Sequence, residues 1–280
     1  MSGCLVLVAT PIGNLSDLSE RAMSTLLAAS VVYCEDTRHS RTLFAAHGVK
    51  TPPLIALHEH NEKAQCDEVV QRVLAGEIVA LISDAGTPAV SDPGQRVVAA
   101  VIDAGGQVST VPGPSAVVSA LVISGFATER FVMEGFLPRK EGERKVLFDA
   151  WDREQRTIVF YESPQRIGGV LNSMAHRWPQ RRVAVVRELT KVHEDVVRGT
   201  LRELADHFVG SPPKGEITVV LEGAGPAPEM SDEALTERAA ELLGRGLSVR
   251  DVATQLSDSL GVAHRRAYDV ALALRAASTD

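Results

Sequence analysis

The residues most able to do chemistry stand in short polar turns that follow apolar strands. Val79–Gly94, VALISDAGTPAVSDPG, is the strongest case. Val79, Ala80, Leu81 and Ile82 form a run that reads as a buried strand, apolar on both faces. Gly86, Pro88, Pro93 and Gly94 then enforce turns before the amphipathic run QRVVAAVIDAG. Asp84 and Thr87 therefore fall just past a strand's carboxyl end, where open α/β sheets bind ligands. An Asp there can accept two hydroxyl protons of a diol, and the amides around Gly86 can approach a ligand closely. Asp92, directly before Pro93, reads as the cap of the next helix.

Four further strand ends carry polar groups. Leu5–Ala9 runs into Thr10-Pro11-Ile12-Gly13-Asn14, a tight turn. Val31–Cys34 ends in Glu35-Asp36-Thr37-Arg38, either cleft groups or a cap with a surface ion pair. Val108–Val111 leads to Pro112-Gly113-Pro114-Ser115, which leaves Ser115, Ala116 and the following amides at a helix N-terminus able to receive a polar group. Val183–Val186 ends in Arg187-Glu188-Leu189-Thr190-Lys191, with Glu194 three residues on. His58-Glu59-His60 could pair two imidazoles on a strand face, but no third ligand stands at a suitable spacing. Asn61 reads instead as a helix cap, and no metal is assigned. Neither GxGxxG nor GxxxxGK[ST] occurs.

These turns need a scaffold, and the alternation of strands and helices supplies one. Residues 1–126 read as an α/β domain with a mainly parallel sheet, joined through Gly125–Thr128 to a second α/β domain over 127–225 with some antiparallel pairing. The second domain contains the strand Thr157–Tyr161, which runs into Glu162-Ser163-Pro164 and a helix. Gly223–Pro228, GAGPAP, reads as a linker. Residues 226–280 then form three helices, the last two separated by Gly261 as in a helix-turn-helix.

Composition narrows the class. The 280 residues are 45% hydrophobic and 23% charged, ordinary for a soluble globular protein. No apolar run approaches a membrane span, and Cys4, Cys34 and Cys66 show no CxxC spacing. A reducing, cytoplasmic setting follows. The net charge of −7 argues against indiscriminate polyanion binding, so any nucleic acid must be met by local patches. Arg139, Lys140, Arg144 and Lys145 form one such patch within seven residues, although Glu141 and Glu143 are interleaved. Arg265 and Arg266 belong to the helical extension. There Arg245, Arg250, Arg265, Arg266 and Arg275 stand against Asp251, Asp258 and Asp269, only a weak basic excess. Helix-turn-helix shape alone licenses no DNA reader.

SDAGTPAVSDPG, TPIGN, FYESPQR and RELTKxxE together resemble the RsmI family of ribosomal RNA methyltransferases, a branch of the tetrapyrrole methylase superfamily. The resemblance spans residues 5–222 and the helical extension. It implies a tetrapyrrole-methylase fold, with S-adenosylmethionine folded into a cleft between two α/β domains, and a homodimer. The cofactor residues it implies are Pro11, Asp84, Gly86, Thr87, Ser115, Ala116, Phe160 and Tyr161. The implied reaction is methylation of a cytidine ribose 2′-oxygen in the decoding centre of 16S ribosomal RNA, within the small subunit. A 2′-hydroxyl is a poor acid, so a base or a cation should assist, and Glu35, Asp36, Glu188 and Lys191 are the candidates. Two rival readings are a tetrapyrrole or other small-molecule methylase, which needs no basic patch, and a non-enzymatic nucleic-acid-binding protein, which needs no ligand-like turns.

Overall fold

A computed structural model describes residues 3–58, 60–210, 212–225 and 231–277. The first five strands are β1 (Cys4–Val8), β2 (Val31–Cys34), β3 (Leu54–Ala56), β4 (Ile78–Ile82) and β5 (Gln107–Val111). They pair in the order β3-β2-β4-β1-β5, every neighbour parallel. The helices between and after them are α1 (Glu20–Ala28), α2 (Thr37–Ala46), α3 (Glu62–Leu74), α4 (Gln95–Asp103) and α5 (Ala116–Ser124).

The unbroken apolar run of β4 has its reason in this layering. Val79 and Leu81 face a core shared with Val69 and Val73 of α3 and Val97 and Val101 of α4. Ala80 and Ile82, on the opposite face, pack with Ala22 and Leu26 of α1 and Phe44 of α2. A strand covered on both sides has no solvent face to mark with polar residues. After β1 the chain crosses one way along the sheet, to β2, and after β4 the other way, to β5. The turns beyond β1 and β4 therefore flank a topological switch point, where a crevice opens.

The second sheet contains β6 (Phe131–Phe136), β7 (Thr157–Glu162), β8 (Arg182–Arg187), β9 (Asp195–Thr200) and β10 (Ile217–Leu221), in the order β6-β7-β10-β8-β9. Only β6 and β7 run parallel; the other pairs are antiparallel. One face packs against α6 (Glu141–Trp151), α7 (Pro164–Arg177) and α8 (Leu201–Phe208). The other face, with Val159, Ala184, Val186 and Val220, packs against Val117, Ala120 and Leu121 of α5 and against Ile12. The helix that follows the first sheet thus covers the second, and residues up to Ala224 form one compact unit. The connection expected at 126–127 follows α5 directly, where Gly125 takes a left-handed conformation.

Residues from Gly225 on form a separate compact unit. Its helices α9 (Asp232–Gly244), α10 (Val249–Leu260) and α11 (His264–Ala277) enclose Leu235, Ala239, Leu242, Val252, Leu256 and Ala267. Ser248 caps α10 by accepting the Asp251 amide at 3.2 Å, and Gly261 ends it left-handed. Of the expected linker, residues 226–228 lie outside the described residues, as does Glu59 of the His58–His60 stretch.

Several local expectations are corrected. β3 was absent from the sequence reading because two prolines precede a three-residue edge strand, too short for alternation to show. β9 pairs with β8 over its whole length, Asp195–Thr200. Asn61 does not cap α3 with its side chain; it accepts the His58 amide at 2.8 Å and donates to the Ala56 carbonyl at 2.9 Å. Asp92 does not cap α4 either. Buried Glu62 reaches across from α3 and accepts the Gly94 and Arg96 amides, both at 2.9 Å, which satisfies the first turn of α4. The residue nearest in sequence lost the role to one thirty residues earlier that the α3–α4 packing brings close.

This cap generates a test. Glu62→Ala leaves two amides without their charged acceptor and should lower unfolding free energy by about 2–3 kcal/mol. Asp92→Ala should not lower it, since no helix amide depends on Asp92, and burial beside Glu35 pushes its carboxyl up to about 6, so its charge opposes folding at neutral pH. Urea denaturation of both variants makes the comparison, and equal losses would reverse the assignment of the cap.

Candidate functional site

The turns after β1 and β4 are joined by a reciprocal backbone pair. The Thr10 amide donates to the Gly86 carbonyl at 2.9 Å, and the Gly86 amide donates to the Thr10 carbonyl at 3.1 Å. The Thr10 hydroxyl donates to the Ser83 carbonyl at 3.1 Å. The Thr87 hydroxyl donates to the Pro114 carbonyl at 3.2 Å, tying in the Pro-Gly-Pro turn. Three turns distant in sequence become one rigid floor.

Two cavities open on this floor. The first, about 370 Å³, is lined by Ile12, Gly86, Thr87, Asp92 and Ala116 from the first sheet's side. Phe136, Tyr161, Glu162, Val186 and Leu189 line it from the second sheet's side. The second, about 230 Å³, is lined by Thr10, Pro11, Gly13, His39, Thr42, Asp84 and Lys191. Ile12, Ala85 and Glu216 border both. The first is of a size to enclose a small molecule among apolar walls with a few polar groups.

Carboxylates gather at the first sheet's edge. Asp84 accepts the Asp36 amide at 3.1 Å. Burial, and then the neighbouring Asp84 charge, push the Glu35 carboxyl above its ordinary value. Burial and the Glu35 charge push Asp92 up to about 6. Burial, Asp92 and Glu216 push the Tyr161 phenol up to about 12. Across the cleft, buried Glu162 accepts the Ser163 amide at 2.7 Å and pairs with Arg166 at 3.0 Å. Among the described residues, no group of three or more His, Cys, Asp or Glu side chains is arranged to hold a metal ion.

The four catalytic candidates separate clearly. Asp36 caps α2 and binds Arg38, whose guanidinium and amide hold its carboxyl down at about 2. Both oxygens are occupied, so it is a poor base, and the cap-plus-ion-pair alternative describes it. Glu188 accepts Lys191 Nζ at 2.8 Å and the Glu216 amide at 3.0 Å, which lower its pKa. It positions a cation and is not itself poised to take a proton. Lys191 also donates to Glu216 at 3.1 Å; partial burial opposes its charge, but the two carboxylates raise its pKa overall. Its ammonium borders the second cavity beside Asp84. Glu35 stands half-buried beside that acidic edge. Glu188 and Thr190 both adopt left-handed backbone, with φ of 52° and 64°. Such non-glycine strain costs on the order of 1–3 kcal/mol and concentrates at functional sites.

Of the residues that the resemblance assigns to the cofactor, Gly86, Thr87, Ala116 and Tyr161 line the first cavity, and Pro11 and Asp84 line the second. Ser115 uses its hydroxyl to cap α5 at the Val118 amide. Phe160 is a correction. It has no exposed surface and stacks on Trp151 at 5.7 Å in the core against α6 and α7. Successive strand residues face opposite sides, so Tyr161 can reach the cleft only if Phe160 turns away. Sequence reasoning missed Asp92 and Glu162 as cleft residues. A Ser-Asp pair repeated within one loop was the available signal for the first.

The expected basic patch is partly spent on structure. Arg139 and Lys145 are exposed, but Lys140 pairs with Glu143 at 3.0 Å and Arg144 points at the Pro138 carbonyl. In the helical unit Arg265 is exposed and Arg266 binds Asp232 at 2.7 Å.

Comparison with known proteins agrees with this arrangement. The pattern of the Tetrapyrrole (Corrin/Porphyrin) Methylases matches residues 4–205. The chain is 42% identical over 277 residues to the ribosomal RNA small subunit methyltransferase I of Synechocystis sp., covering 98% of this chain and 99% of that one. It is 43% identical over 277 residues to the protein of the same name from Mycobacterium tuberculosis, covering 98% and 96%. Among solved structures, the uroporphyrin-III C-methyltransferase of Thermus thermophilus complexed with S-adenyl homocysteine aligns with a TM-score of 0.53 at 20% identity, over 78% of this chain and 96% of that one. That likeness concerns the fold.

The loop that holds Lys191 can be tested without any ligand. Gly215 has φ +92°, and a Cβ there would meet the Glu188 carboxyl group at 2.3 Å. Gly215→Ala should therefore displace Glu188 from Lys191 and lower stability by roughly 1–2 kcal/mol, the cost of a left-handed non-glycine residue. An unchanged urea midpoint would mean that the loop is not held as described.

Proposed function

From the premise that the chain belongs to the tetrapyrrole methylases, among the ribosomal RNA small subunit methyltransferase I proteins, we propose that it methylates a cytidine ribose 2′-oxygen in the decoding centre of 16S ribosomal RNA. S-adenosylmethionine is its cofactor and, when bound, supplies an electrophilic methyl group on a sulfonium. The observation that carries the reading is the pair of adjoining cavities at the switch point, with Lys191 lining the second.

In this reading the first cavity takes the cofactor, with Gly86, Thr87, Ala116 and Tyr161 along its walls. Pro11, Asp84 and Ser115 complete the proposed set at its edges. The fit rests on a partly enclosed cleft of suitable volume that offers both backbone amides and carboxylates. The second cavity receives the acceptor ribose. There Lys191, held by Glu188, stabilises the developing 2′-oxyanion, and Glu35 is the remaining candidate to take its proton. The rigid floor orients the acceptor oxygen, a large part of what such a transfer requires.

An acidic protein of net charge −7 that makes few phosphate contacts should release few counterions and bind naked RNA weakly. We therefore read the substrate as RNA already shaped within the small subunit, since RNA recognition depends on presented single strands and folded shape. Arg139, Lys140, Arg144 and Lys145, with Arg265 and Arg266, are the proposed phosphate contacts. The protein is read as a cytoplasmic homodimer without a DNA or membrane partner. No helix among the described residues is long and apolar enough to cross a membrane.

Labelled-methyl incorporation tests this reading. Transfer to assembled small subunits should greatly exceed transfer to naked 16S transcript; equal transfer would defeat the assembled-substrate reading. Transfer to neither, with methylation of a tetrapyrrole instead, would favour the small-molecule reading. Lys191→Ala should lower kcat roughly 10²–10³-fold, the usual loss for one oxyanion-stabilising group. Its affinity for S-adenosylmethionine should stay within about threefold, because only transition-state contacts are removed.

A further inference from the structure

We infer that Asp92 is the counter-charge for the sulfonium of S-adenosylmethionine, so that this chain distinguishes charged cofactor from neutral spent product. The inference rests on the methyltransferase reading above and assigns a role to a residue outside the proposed cofactor set.

Three observations converge on it. First, Asp92 is relieved of the task its sequence position suggests, because Glu62 caps α4. Second, the loop places it in the cleft at a conformational cost. Ala89 and Ser91 adopt φ of 67° and 62°, and Ser91 directly precedes Asp92. Third, of the three acids that line the first cavity, Asp92, Glu162 and Glu216, it is the one with no ion pair among the described residues. Glu162 accepts the Ser163 amide through Oε1, and its Oε2, which receives no hydrogen bond, lies 3.0 Å from the Arg166 guanidinium. Glu216 pairs with Lys191. Asp92 forms no ion pair among the described residues, although half-buried beside Glu35 and Asp84. A desolvated carboxylate in such company favours a cation strongly.

The surroundings select the kind of cation. The Asp92 charge is felt by the Tyr161 phenol, and the Tyr161 ring packs against Phe136 at 5.4 Å. Phe136 is 62% exposed and lines the same cleft. Aromatic walls beside a carboxylate suit a cation that carries no N–H donors, as quaternary ammonium sites do. A sulfonium is such a cation, whereas an ammonium would need several directed acceptors. Transfer of the methyl group leaves a neutral thioether, so the attraction vanishes in the product. Asp92 accordingly strengthens cofactor binding and favours exchange of product for fresh cofactor, without being needed for the transfer itself.

The pH dependence has a defined sign. Asp92 must be ionised to attract the sulfonium, and its free-state pKa stands at about 6. The groups that face it are Glu35 from the end of β2, Ser83 and Asp84 from the end of β4, Tyr161 of β7 and Glu216 before β10, with His58 beyond Glu35. Glu35, which burial raises, acts in the same direction, since protonating it weakens the negative field.

Calorimetric titration of the full-length protein with S-adenosylmethionine and, separately, S-adenosylhomocysteine provides the test. In the wild type the ratio of the two affinities should fall several-fold as pH drops from 7.5 to 5, a measurement that needs no variant. Asp92→Asn should weaken S-adenosylmethionine about ten- to hundredfold at pH 7.5, as loss of a charged contact does. It should leave S-adenosylhomocysteine within about threefold and flatten the pH dependence of the ratio. A ratio independent of pH in the wild type, or equal weakening of both ligands by Asp92→Asn, overturns the assignment while the methyltransferase reading stands. If the wild type binds neither ligand, that reading falls and this inference falls with it.

Discussion

The reciprocal hydrogen bonds between Thr10 and Gly86 are the constraint on which the rest of the site depends. They clamp the turn after β1 to the turn after β4, at the place where the chain leaves the sheet in opposite directions. Two backbone amides that would otherwise face the crevice are satisfied by each other, so the floor between the two cavities is a closed surface. Ile12, two residues beyond Thr10, borders both cavities and packs with α5 and the second sheet. A local backbone pair thereby fixes the position of one sheet's turns against the other sheet.

Around that clamp, charge is distributed unequally. The first sheet contributes carboxylates: Glu35, Asp36, Asp84 and Asp92. The second contributes Lys191, seated between Glu188 and Glu216 on a loop with two left-handed non-glycine residues. The backbone strain and the glycine at position 215 serve one result, a single ammonium held at the mouth of an acidic crevice. Asp36 is paired with Arg38 and Glu162 with Arg166. Asp92, which lines the first cavity and forms no ion pair among the described residues, stands where the cationic cofactor is proposed to lie.

Much of this was legible beforehand because it is local. Strand–turn–helix units such as β4, its Gly- and Pro-rich turn and α4 were readable because apolar runs ended in Gly and Pro. Four conspicuous strings were enough to suggest a family, and the comparisons bear that family out. What failed was non-local. Asp92 looked like a cap because Asp before Pro at a helix start usually is one, and nothing near it in sequence reveals Glu62. Phe160 and Tyr161 looked equivalent inside one motif, whereas strand alternation sends one into the core and the other into the cleft. Arg144 and Arg266 looked like free cations until their partners, Pro138 and Asp232, were in place.

By itself, then, the sequence determined the elements, the α/β class, the family and the turns that carry polar groups. These follow from periodicity, turn chemistry and short strings, all of which act over a few residues. Only the tertiary structure decided that α5 would cover the second sheet, that the turns after β1 and β4 would lock together, and which carboxylates would be spent on caps and ion pairs. The physical reason is that a side chain's role depends on what it meets after burial. Desolvation, pairing and the choice of cap are settled between residues dozens of positions apart, and no spacing along the chain encodes those meetings.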